Sequence, residues 1–176
     1  MMRSFALAGA PAFLMLLPLI SVGFTGACFG FFFAWQSSTL RGLDMIDPAT
    51  AIEAMQSMNA SVRNSLFGTV YFGTPLVLAL SMVVMAVLRA RVAAVVLGLA
   101  LVLHMVGVFG VTATINVPMN QELAEVDAQA PGADKIWQAF STRWQSANLI
   151  RMIAAGGCLM LVATTLVPAL QNRRRS

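Results

Sequence analysis

From Arg3 to Arg41 the chain carries no charged residue, and most of that stretch is aliphatic or aromatic. A soluble domain cannot solvate such a run. A helix, by contrast, crosses roughly 30 Å of hydrocarbon with about 20 apolar residues and satisfies its own backbone while doing so. Three further apolar runs follow, and the four predict spanning helices at about 13–37, 66–88, 92–116 and 147–169. The expected fold class is all-α, an integral membrane four-helix bundle formed by a single domain, 1–176. Composition agrees: 10% of the residues are charged, against about 25% in soluble domains.

The start of the chain has the outline of a signal peptide, one arginine and then apolar residues, but it continues through Trp35. That exceeds a cleaved apolar region of about 7–15 residues, so a retained membrane helix is expected. Within it Gly23, Gly26, Ala27 and Gly30 share one face, which predicts close helix packing there, with Phe29, Phe31, Phe32 and Phe33 turned to lipid.

Two segments are helical in pattern yet too polar to cross. Asp47 followed by Pro48 is a helix start, the carboxylate capping free amides and the proline losing nothing by lacking an N–H. The helix at about 48–65 repeats Ile52, Met55, Asn59, Val62 and Leu66 on one face, and is expected to run straight, or through a bend near Gly73 to Pro75, into the second span. The other, at about 133–146, continues into the fourth span. Such a helix would be about 50 Å long against about 30 Å of hydrocarbon. Both extensions are therefore expected to project beyond the bilayer on the non-cytoplasmic side.

The charges suggest that orientation. Arg3, Arg89, Arg91, Arg173, Arg174 and Arg175 would share one side, clustered at helix ends, while every acidic residue falls on the other. The positive-inside rule then places both termini in the cytoplasm, with the cell inner membrane as the expected location. Scattered arginines give no basic patch, so no nucleic acid is expected. Cys28 and Cys158 sit singly in apolar runs and read as buried thiols. No metal is expected: there is one histidine, no HxxH or HExxH spacing, and acids only on loops. The expected partners are the membrane, a hydrophobic small molecule or lipid, and, through the small-residue faces, a second copy in a homo-oligomer.

Val111 to Arg151 concentrates the remaining chemistry. Asn116, Pro118 and Asn120 stand where the third run stops. Trp137, Trp144, Asn148 and Arg151 follow at spacings of seven, four and three, one face of a helix, with Phe140 and Ser141 beside them. Asn59 and Arg63 are expected at the same end of the bundle and would complete an aromatic-walled pocket. A competing reading makes the tryptophans an interfacial belt, the asparagines turn formers and Arg151 a snorkelling side chain. His104 lies mid-span, either as a neutral packed group or as a ligand-binding one.

The series Asn116-Val117-Pro118-Met119-Asn120, Trp137, Trp144, Asn148 and Arg151, with Met55-Gln56-Ser57-Met58-Asn59 earlier, resembles the anthrone oxygenase-like membrane family, also described as a domain of unknown function. The resemblance implies a four-helix membrane protein, some of whose relatives oxidise polyketide anthrones with molecular oxygen and no conventional cofactor. It implies roles for Asn116, Asn120, Asn148 and Arg151 in catalysis. Asn59, Arg63, Trp137, Phe140, Trp144 and His104 would bind an enolisable phenolic or polyketide-like substrate. The Asn and Arg donors would stabilise an oxyanion and the tryptophans exclude water. No general base stands beside the motif: His104 lies deep, and Glu122 and Glu125 are on the loop. The alternative is a non-enzymatic membrane protein that binds a lipid, a quinone-like molecule or a partner protein in the same pocket.

Overall fold

The computed structural model describes residues 16–166. The helices are α1 (Leu16–Leu43), α2 (Pro48–Ser61), α3 (Ser65–Val87), α4 (Arg91–Ala124) and α5 (Ala133–Thr164). All but α2 are long and apolar enough to cross a membrane, and the chain is an all-α, multi-pass membrane protein. The first span's expected start at 13 and the fourth's end at 169 lie outside the described residues, as do Arg3, Arg173, Arg174 and Arg175.

Packing follows chain order. Helices α1 and α4 each pack against both α3 and α5, so the four long helices close a ring in which chain neighbours run antiparallel. A tight turn at Leu88 to Ala90 joins α3 to α4, with Arg89 at φ 60°, a left-handed conformation that a side chain tolerates poorly. Helix α2 lies at the opposite end, against the last turns of α1 and α4 and the first half of α5.

The core is layered along the bundle. Leu78, Met85, Leu97, Ala100 and Val162 fill the end near the tight turn, and Cys28, Phe32, Tyr71, Val108, Ala154 and Ala155 fill the middle. Under α2 sit Leu40, Ile52, Met55, Leu123, Trp137, Phe140 and Trp144. Both cysteines are buried free thiols, as expected, and Cys158 donates to the Ala100 carbonyl at 3.2 Å.

The packing face of α1 is the expected one only in part: Phe33 is exposed and a Cβ on Gly26 would meet Leu159 at 3.9 Å, but Gly23, Gly30 and Phe32 do not follow the expectation. Gly23 and Gly30 have nothing within 4 Å of a Cβ placed on them, whereas Phe32 is buried in the core. Aromatic rings from α1 act as knobs and glycines on its neighbours as holes. A Cβ on Gly73 would lie 2.5 Å from the Phe24 ring, and one on Gly156 would lie 3.1 Å from Phe29. A close approach is also present at Gly107, where a Cβ would lie 2.5 Å from that of Ala154.

Two junctions also differ from expectation. Asp47 caps α2 through the Thr50 amide at 3.1 Å, as predicted, but α2 neither runs straight into the next helix nor bends at Gly73 to Pro75. The chain breaks at Val62 to Asn64, and the Asn64 carboxamide oxygen accepts the Phe67 amide at 3.0 Å to start α3. Asparagine favours that cap because its short side chain reaches the free amide two or three residues on. Helix α4, for its part, does not stop at Asn116. Two wide π segments, Met105–Gly110 and Thr112–Asn116, precede a fresh α-helical stretch, Val117–Ala124. Pro118 falls in the first turn of that stretch, where its missing N–H costs least.

Polar cross-links secure the α2 end. The Gln56 amide donates to the Leu123 and Val126 carbonyls at 2.8 and 2.9 Å, capping the end of α4. Asp44, at the end of α1, accepts from the Trp137 indole at 3.1 Å and the Ser141 hydroxyl at 2.6 Å, while its other oxygen accepts from Gln145 at 2.7 Å.

Candidate functional site

Between the first turns of α3 and the π segments of α4 the bundle leaves a cavity of about 710 Å3. Phe67, Tyr71 and Phe72 stand on the α3 side and Phe109, Thr112 and Asn116 on the α4 side, with Trp35 of α1 and Trp144 and Arg151 of α5 behind them. The size and the mainly aromatic wall with a few polar groups suit a small organic molecule. Nearly parallel rings line one side: Tyr71 stacks on Phe67 at 5.5 Å and on Phe109 at 4.9 Å.

Arg151 is 5% exposed, and its guanidinium lies between the rings of Phe32 and Trp144, 4.7 and 4.8 Å from their centroids. Stacking of this kind stabilises a cation but does not neutralise it. One terminal nitrogen donates to the Thr112 hydroxyl at 3.3 Å and the other to the Asn148 carboxamide oxygen at 3.0 Å. Its Nε has no partner, and among the described residues none of its hydrogen-bond partners is a carboxylate. A buried charge is normally paired, because desolvation costs several kcal/mol. Arg151 thus stands at the cavity wall without a charged hydrogen-bond partner among the described residues.

Asn148 is fully buried behind Arg151 and does not line the cavity. Its amide donates to the Phe32 carbonyl at 3.1 Å and the Gln36 carboxamide oxygen at 2.9 Å, which directs its own oxygen at Arg151. Asn120 lines the cavity and accepts the Trp144 indole N–H at 2.9 Å, fixing the ring that covers Arg151. Asn59 and Arg63 line it as well, the first buried and the second exposed at the mouth.

The structure therefore brings together Asn59, Arg63, Asn116, Asn120, Trp144 and Arg151, with Asn148 directly behind. Three expected residues stand apart. Trp137 shares a helix face with Trp144 but sits about two turns nearer the start of α5, bound to Asp44. Phe140 belongs to the layer under α2 and lines a separate hollow of about 350 Å3 with Glu122 and Arg143. His104 is fully buried inside the bundle, is absent from the cavity wall, and has no partner for either ring nitrogen among the described residues. The described residues contain no cluster of His, Cys, Asp or Glu able to hold a metal ion.

Sequence reasoning missed Tyr71, Thr112 and the ring column of Phe67 and Phe109. The sole tyrosine of the sequence, inside a span, was the available signal, since a buried hydroxyl requires a partner or a cavity. It also missed Gln36 and Asp44, which lie among the polar residues that close the first span, Ser37, Ser38, Thr39, Arg41 and Asp47, and so do not stand out there.

Fold and site together define a four-helix membrane protein with an aromatic cavity and a buried arginine at its wall. The family model described as anthrone oxygenase matches residues 64–161, more than half of the chain and all of α3 and α4. The chain belongs to the anthrone oxygenase family. No curated protein and no solved structure matches it.

Proposed function

We propose that the chain is a membrane oxygenase acting on an enolisable phenolic or polyketide-like small molecule in the 710 Å3 cavity. The observation that carries this reading is Arg151, a buried guanidinium held by uncharged partners at the cavity wall. An enolate needs such a group. Cationic and amide donors lower the energy of a developing oxyanion most where water is excluded and the donors are already in place.

In this reading the substrate loses a proton from an activated methylene, and the charge spreads onto its oxygen against Arg151 and Asn116. No carboxylate lines the cavity among the described residues, so the proton passes to water at the open side of the cavity, from which the peroxide later regains it, and the substrate's own conjugation with its phenol supplies the acidity. The carbanion passes one electron to molecular oxygen, the two radicals join in a C–O bond, and the protonated hydroperoxide loses water. Methylene plus oxygen thus becomes ketone plus water, with oxygen as the only co-reactant. Asn148 positions Arg151, Asn120 positions Trp144, and the ring column of Phe67, Tyr71 and Phe109 holds a planar substrate by stacking.

The setting proposed is the cell inner membrane with both termini cytoplasmic. Helix α2 and the first turns of α5 would then project beyond the bilayer on the opposite side, since 32 residues make about 48 Å of helix against about 30 Å of hydrocarbon. Phe72, largely exposed, and Val117 at the cavity rim would give a lipophilic substrate access from the bilayer. The same rim supports the second reading, a binding protein for a lipid or quinone-like molecule.

Purified protein supplied with anthrone-type phenols should consume oxygen. Arg151→Ala should lower kcat/KM by at least about a hundredfold, since it removes the charge that meets the oxyanion. Oxygen uptake unchanged by Arg151→Ala and by Asn148→Ala would exclude the site. A specifically retained lipid without any oxygen uptake would favour the binding reading.

A further inference from the structure

Asn116 is 1% exposed, lines the cavity, and has no hydrogen-bond partner for either atom of its carboxamide. Buried asparagines ordinarily satisfy both ends, as Asn148 does. Two neighbours share the shortage: Asn59 has an unpartnered amide nitrogen and Arg151 an unpartnered Nε, and both line the same cavity. The unpaired set at this wall is thus three donor nitrogens, from Asn59, Asn116 and Arg151, and one acceptor, the Asn116 oxygen.

The backbone accounts for the placement of Asn116. It closes the π segment Thr112–Asn116, and a π turn inserts an extra residue that re-aims the side chains around it. The threonines of this region occupy themselves with carbonyls one turn back, Thr112 with Val108 at 2.7 Å and Thr114 with Gly110 at 2.8 Å. Asn116 has no such local bond.

We propose that Asn116 is the specificity-determining residue of the cavity, and that it reads an edge of a planar aromatic ligand on which a donor and an acceptor occupy neighbouring atoms. This rests on the reading of the cavity as the substrate site. A carboxamide offers its oxygen and its N–H side by side, so one matching edge satisfies both, in the way asparagine pairs with the donor and acceptor of adenine. A ring lactam has this edge, as does a ring hydroxyl or enol beside a carbonyl. Ligand edges with an acceptor alone leave the Asn116 oxygen unpaired in a dry site, and hydrocarbon edges leave both atoms unpaired. Sites built on a hydrogen bond reject analogues lacking it far more strongly than apolar pockets reject an altered shape. The remaining donors of Asn59 and Arg151 then fall to a second oxygen of the ligand.

The test is calorimetric titration of the full chain in lipid nanodiscs with 2-quinolone, N-methyl-2-quinolone and coumarin. These are planar probes of similar size, of which only the first carries both donor and acceptor. Wild type should bind 2-quinolone at least about tenfold tighter than either analogue. Asn116→Leu should lose that preference. Asn116→Asp, which keeps an acceptor, should retain the preference for the N–H probe and shows the effect in a variant closer in shape to wild type. Equal affinities of wild type for the three probes, no binding of any of them, or a preference that survives in Asn116→Leu would overturn the proposal. Oxygen uptake with anthrone-type phenols is measured on the same samples. Uptake without probe preference removes the role of Asn116 alone, whereas preference without uptake removes the oxygenase reading and leaves Asn116 as the recognition residue of a binding site.

Discussion

The uncharged surroundings of Arg151 make a directional prediction at the scale of single residues. Asn148→Asp would set a carboxylate about 3 Å from the guanidinium, where the asparagine oxygen now lies at 3.0 Å. The arginine would then be paired within the protein and less available to an incoming oxyanion. The expected result is a rise in KM for an anionic phenol of about tenfold or more, read from oxygen uptake against substrate concentration; an unchanged KM would mean that Arg151 does not meet the ligand. Asn148→Ala, like the aspartate, leaves Gln36 and the Phe32 carbonyl without their donor and should destabilise the fold by about 1–3 kcal/mol, measured by thermal unfolding in detergent. Much of this site is legible in sequence, because Trp144, Asn148 and Arg151 fall on one helix face by spacing and polar residues inside a span are costly enough to stand out. Tyr71 and Phe109 are not legible in the same way. Aromatic residues in a span look alike whether they face lipid or a cavity, and only the placement of a second helix decides between the two.

At the scale of helices, the packing of α1 at Gly23, Gly30 and Phe32 shows where a small-residue rule misleads. Glycines at helical spacing create a groove, but a groove is filled only if a neighbour supplies something to fill it, and here the neighbours of α1 supply the grooves themselves. The four spans follow from the uncharged runs, since no other backbone arrangement satisfies itself in lipid; the face each span turns inward does not. The difference is measurable. Gly107→Ala would press its new methyl against the Cβ of Ala154, which is fixed to the backbone of α5, and should destabilise by about 1–3 kcal/mol. Gly73→Ala meets the Phe24 ring, which can rotate away, and should cost less. Gly30→Ala enters open space and should be neutral or stabilising by up to about 1 kcal/mol, because alanine loses less backbone entropy in a helix. Thermal unfolding of the three variants in one detergent should rank them Gly107, Gly73, Gly30 in order of destabilisation. A large loss at Gly30 would instead mean that the exposed face of α1 is covered in the intact assembly.

For the whole molecule the consequence is one of polarity. Every acidic residue lies in or beside α2, in the connection before it, or in the segment from α4 to the start of α5, whereas Arg89 and Arg91 stand at the tight turn on the other end. The cavity mouth, with Arg63 and Asn64, opens toward the acidic end. In the proposed orientation the acidic end would face away from the cytoplasm, and substrate would then meet the protein at the outer surface of the membrane or within its outer half. Glu125 and Arg91 are both exposed and mark the two ends. Single cysteines at these positions, in a chain carrying Cys28→Ala and Cys158→Ala, should separate under a membrane-impermeant maleimide. Glu125→Cys should label in intact cells, and Arg91→Cys only after permeabilisation. The reverse pattern would turn the protein over and direct the cavity mouth to the cytoplasm, whereas labelling of both positions from outside would break the antiparallel pairing of α4 across the bilayer.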